Sequence, residues 1–79
     1  MLPLILLVDD EEEILDFLER ILNDKYSILK SENAKDALEI LNKEAVQLII
    51  LDVMMPRMDG FELCKIIKSD FEHSHIPVI

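Results

Sequence analysis

Two short unbroken apolar runs set the frame for this chain. Leu4 to Val8 has no polar residue, and the segment Gln47 to Val53 is apolar from Leu48 through Leu51. Runs of this length without polar alternation suit strands buried on both faces, as in a parallel sheet. Parallel neighbours need a crossover, and the intervening segments carry helical spacing. Ile14, Leu18 and Ile21 share one helical face, with Leu15 and Leu22 beside them. Glu11 to Glu13 open that helix, where negative charge suits the positive end of the dipole. Ala34, Ala37, Leu38 and Leu41 mark a second helix, and Leu63, Ile66 and Ile67 a third. Asp59, just before Gly60, suits the N-cap of the third helix.

Tyr26 to Leu29 reads as a shorter, more polar strand, which belongs nearer an edge. Ile76 to Ile79 starts a fourth strand. The order is then β-α-β-α-β-α-β, an α/β pattern with a parallel sheet and right-handed crossovers. A polar second strand at the edge gives a sheet order beginning 2-1-3. The first helix then covers one face, and the next two cover the other.

The 79 residues fit one small domain. The net charge of −9, from 17 acids against 8 bases, repels nucleic-acid backbones and suits a cation or a basic partner. The apolar opening lacks a basic flank, contains Pro3 and runs directly into acids, so it does not read as a signal peptide. No apolar run is long enough to span a bilayer, and a cytoplasmic location is the expectation. Cys64 is the single cysteine and reads as a small core residue. His73 and His75 read as exposed loop residues rather than a metal pair.

The chemistry lies at the strand ends. The first run stops at Asp9 and Asp10, and the third ends on Asp52. In open α/β sheets, ligands gather outside the carboxyl ends of the strands, where the strand order reverses. Adjacent first and third strands would bring these acids together there. Clustered carboxylates repel one another, so a proton or a cation must offset them. An oxygen-only donor set suits Mg²⁺, Ca²⁺ or Mn²⁺ rather than zinc. A carboxylate in such a place can also act as a nucleophile and form an aspartyl phosphate. The plainer readings are that Asp10 caps the first helix and that Asp9 is a solvated strand-end acid. Asp52, flanked by Ile49, Ile50, Leu51 and Val53, is poorly placed for solvation unless it stands at a functional strand end.

The whole chain resembles the receiver domain of two-component response regulators, a CheY-like family. The resemblance rests on Leu6-Leu7-Val8-Asp9-Asp10-Glu11, on Leu51-Asp52-Val53-Met54-Met55-Pro56, on Met58-Asp59-Gly60, and on Ile76-Pro77-Val78-Ile79. It implies a flavodoxin-like open parallel sheet of order 2-1-3-4 with the fifth unit missing, residues 1–79 being a partial receiver domain. It implies that Asp52 is the phosphoacceptor and that Asp9 and Asp10 bind Mg²⁺, directly or through water. The Met54 position supplies a backbone carbonyl ligand to the metal, and Pro56 and Gly60 shape the loop. Gly60, the single glycine, is consistent with a backbone need there. Family members promote their own phosphorylation and dephosphorylation but are regulatory. The implied partner is a sensor histidine kinase or a histidine phosphotransfer domain.

The family's switch hydroxyl and its phosphate-contacting lysine fall beyond residue 79, and Lys65 and Lys68 do not replace the lysine. The alternative expectation is therefore a signalling-inert fragment that serves as an interaction module and self-associates, for example by strand exchange. A haloacid-dehalogenase-like phosphotransferase would need a second Asp where Met54 stands, and a single glycine leaves no Rossmann or P-loop pattern.

Overall fold

The computed structural model describes residues 2–52, 60–69 and 75–79. Six elements follow one another: β1 (Leu4–Val8), α1 (Glu12–Leu22), β2 (Ser27–Ser31), α2 (Ala34–Lys43), β3 (Leu48–Leu51) and α3 (Gly60–Ser69). The strands form one parallel sheet of order β2-β1-β3. Val78 then bridges Ile49 in parallel, and the Ile79 N–H donates to the Ile49 carbonyl at 2.9 Å. The final run thus lies on the free side of β3, where the order 2-1-3-4 requires it.

Strand alternation divides the core into two layers. Leu6, Val8, Ile49 and Leu51 point to one face, where Ala34, Ala37 and Leu41 of α2 and Leu63 and Ile67 of α3 cover them. Ile5 and Leu7 point to the other face and pack on Leu15 of α1. Both faces of β1 are therefore buried, which is why its sequence shows no polar alternation.

Three details differ from the sequence expectations. On α1 the buried stripe is Leu15, with Leu18 and Leu22 partly buried, while Ile14 and Ile21 are exposed along with Phe17. Both stripes have helical spacing, and the sheet selects the one centred on Leu15. β2 runs from Ser27 to Ser31 rather than from Tyr26 to Leu29, and it is as long as β1. Its polar Lys30 is held by α1: the Nζ donates to Asp16 Oδ1 at 3.0 Å and to Glu19 Oε1 at 2.9 Å. The Glu19 and Asp16 carboxylates push the Lys30 ammonium up to about 12. Gly60 opens α3, and no described residue has a positive φ, so left-handed freedom is not what glycine supplies there.

The ends of the helices are tied locally. Asn33 caps α2: its side chain accepts the Asp36 N–H at 2.8 Å and donates to the Asp36 carboxylate at 3.1 Å. At the end of α3, Lys68 Nζ donates to the Ile76 carbonyl and so holds the segment that pairs with β3. Among the described residues, no helix is long and apolar enough to cross a membrane. The expected N-cap at Asp59 lies outside the described residues.

Candidate functional site

The sheet register brings the strand-end acids together. Val8 pairs with Ser31 on one side and with Leu51 on the other. One step further, the Asp9 N–H donates to the Ser31 carbonyl at 3.1 Å, and the Asp52 N–H donates to the Val8 carbonyl at 2.9 Å. The ladder therefore continues just past the strand ends and sets Asp9 beside Asp52. Carboxylate oxygens of Asp9, Asp10 and Asp52 all lie within 4.8 Å of one another. Asp9, Asp10 and Asp52 are each half-buried as residues.

Asp10 is not the cap of α1. The N-cap position is Glu11, whose side chain makes no capping hydrogen bond. Instead Asp9 Oδ1 accepts the Glu11 N–H at 2.9 Å. Asp9 is thus anchored by backbone on both sides, and Asp10 is left to face the cluster and solvent.

Burial pushes the Asp9 carboxyl above its ordinary value. The Glu11 N–H opposes that by favouring the charged form, and the charges of Asp52 and Asp10 add to the rise. The arrangement is a small oxygen-only site with converging negative charge. Its donors suit a hard divalent cation that keeps part of its water shell.

Met54 and Pro56 lie outside the described residues, as does His73. His75 is exposed. Cys64 is half-buried on α3 and packs against the larger core cluster, as expected of a small core residue. Sequence reasoning overlooked the turn after β2. Ser31 is buried, and its hydroxyl donates to the Asn33 carbonyl at 2.7 Å. The readable signal was Asn33 followed three residues later by Asp36, a cap pattern ahead of an apolar helix.

With this geometry in place, comparison with known proteins defines the class. The model of the response regulator receiver domain matches residues 5–79, and the chain belongs to that family. Histidine kinase P4 of Formosa agariphila is 45% identical over 75 residues, covering 95% of this chain and 6% of that protein. The heme response regulator HssR of Staphylococcus saprophyticus is 41% identical over 75 residues, covering 94% of this chain and 32% of that protein. The N-terminal domain of a response regulator receiver protein from Methanoculleus marisnigri superimposes with a TM-score of 0.93 at 37% identity, covering 99% of this chain and 64% of that one. The chain spans about a third or less of these curated relatives, and about two thirds of the solved domain. It is a response-regulator receiver of the two-component class, with the parallel sheet and flanking helices of that fold.

Proposed function

We propose that this chain accepts a phosphoryl group on Asp52 in a Mg²⁺-dependent reaction. The observation that carries this reading is the convergence of Asp9, Asp10 and Asp52 within 4.8 Å, at the ends of two adjacent parallel strands. Three carboxylates at that spacing repel one another, and an oxygen donor set open to solvent fits Mg²⁺. Asp9, Asp10 and Asp52 would hold the cation, with the Met54 carbonyl that the family resemblance implies. When bound, Mg²⁺ supplies neutralisation of the charge on the phosphoryl oxygens.

The chain's own part is positioning and attack. An Asp52 oxygen forms a bond to phosphorus while the bond from phosphorus to the donor breaks, and the donor leaves with its electron pair. From a phosphohistidine donor, the leaving imidazole nitrogen takes a proton. The half-buried setting of Asp52 shields the new acyl phosphate in part from water. The donor of this reading is a sensor histidine kinase or a histidine phosphotransfer domain. The −9 net charge disfavours nucleic-acid contact by this segment.

Intact mass after incubation with acetyl phosphate tests the reading. The expected result is a gain of one phosphoryl group that requires Mg²⁺ and is lost in Asp52→Asn. A folded chain that gains nothing, or a gain that survives Asp52→Asn, would overturn it.

A further inference from the structure

We infer that Ser31 is a positioning residue for the acid cluster, acting through the backbone of Asp9. The inference rests on reading Asp9, Asp10 and Asp52 as a divalent-cation site. Ser31 is 3% exposed and is the buried polar residue among those described. It ends the edge strand β2, in register with Val8. Packing at this position asks only for a small side chain, so the core does not explain a hydroxyl.

The hydrogen bonds do. The Ser31 hydroxyl donates to the Asn33 carbonyl at 2.7 Å and accepts the Asn33 N–H at 3.4 Å. The Ser31 carbonyl accepts the Asp9 N–H at 3.1 Å. Asp9 Oδ1 in turn accepts the Glu11 N–H at 2.9 Å. One connected path therefore runs from the turn before α2, through Ser31 and Asp9, to the start of α1. Asp9 sits in the middle of it.

The direction of the Ser31 carbonyl sets where the Asp9 backbone lies beside Asp52. The hydroxyl fixes that direction by locking the two-residue turn that follows. Without it, the turn must find other partners for the Asn33 N–H and C=O, and the end of β2 loosens. Ligand orientation by groups behind the donor atoms governs metal affinity. Ser31 does this at one remove, through the main chain.

Mn²⁺ binding, followed by the electron-spin-resonance signal of the free ion, is the readout, with urea unfolding measured on the same samples. Ser31→Ala is expected to weaken Mn²⁺ binding by about tenfold, the lower end of the effects seen for groups behind metal ligands. Ser31→Thr keeps the hydroxyl and is expected to restore affinity. Asn33→Ala removes the cap of α2 but leaves the backbone groups that Ser31 contacts. It should lower the urea midpoint with affinity unchanged. Affinity in Ser31→Ala equal to that of the parent chain would overturn the inference. So would affinity losses in Ser31→Ala and Asn33→Ala that simply track their losses of stability. If the parent chain itself binds no Mn²⁺, the cation-site reading fails first, and the Ser31 inference falls with it.

Discussion

Asp9 is pulled in two directions. Burial and the charges of Asp52 and Asp10 favour its protonated form, while the Glu11 N–H favours the ionised one, and the net effect is a raised pKa. A group whose folded pKa lies above its unfolded value stabilises the fold fully below the unfolded pKa. That contribution is lost as pH rises through the folded value. At neutral pH without a divalent ion, the Asp9 charge therefore opposes folding. Asp9→Asn is expected to melt a few degrees higher than the parent chain at pH 7 in chelator. The gap should close as pH falls below the unfolded Asp9 value near 3.8. Added Mg²⁺ should raise the melting temperature of the parent more than that of Asp9→Asn. Thermal melts across pH, with and without Mg²⁺, read both effects, and an Asp9→Asn chain less stable than the parent in chelator at pH 7 would contradict them.

At the scale of elements, α1 carries two apolar stripes, and only one meets the sheet. Leu15 is 2% exposed against Ile5 and Leu7, whereas Phe17 is 57% exposed. Leu15→Ala should cost about 2–5 kcal/mol in urea unfolding, as for other buried leucines. Phe17→Ala, which removes a mostly exposed ring, should cost about 0.5 kcal/mol or less. Equal losses would mean that α1 packs differently. Periodicity alone left this choice open, because Ile14 with Ile21 and Leu15 with Leu22 have the same spacing. β1 was legible because both of its faces are buried, so its apolar run is unbroken. The end of β2 was not, because Lys30 and Ser31 look like a strand's end by polarity. Their roles depend on partners far along the chain: Asp16 and Glu19 for Lys30, and Asp9 for Ser31. The acid cluster was legible because Asp9 and Asp52 each follow directly on an apolar strand. The turn that orients Asp9 was legible only in its second half: Asn33 and Asp36 carry a cap pattern, whereas the Ser31 hydroxyl bonded to a neighbouring main chain leaves none.

Across the whole molecule, the 79-residue chain spans about two thirds of the solved receiver domain it superimposes on, and the three acids lie within it. Its surface also shows Ile14, Phe17 and Ile21 exposed together on α1. Self-association of this chain is the expectation that follows from that stripe. Sedimentation velocity checks it: a sedimentation coefficient that rises with concentration and falls back in Phe17→Glu supports association, and a constant monomer value contradicts it. The −9 net charge opposes association at low salt, so the rise should be larger when salt is added.

Everything proposed for this site turns on Asp52 as the phosphoacceptor. Borohydride reduction after treatment with acetyl phosphate and Mg²⁺ tests it most directly, because an aspartyl phosphate is reduced to homoserine and a free carboxylate is not. Peptide mass spectrometry then reads the site. The expected result is homoserine at position 52 only, dependent on Mg²⁺ and suppressed when Asp9 and Asp10 are replaced by Asn. Homoserine at another carboxylate, or none in a chain shown to be folded and to bind the ion, would contradict it.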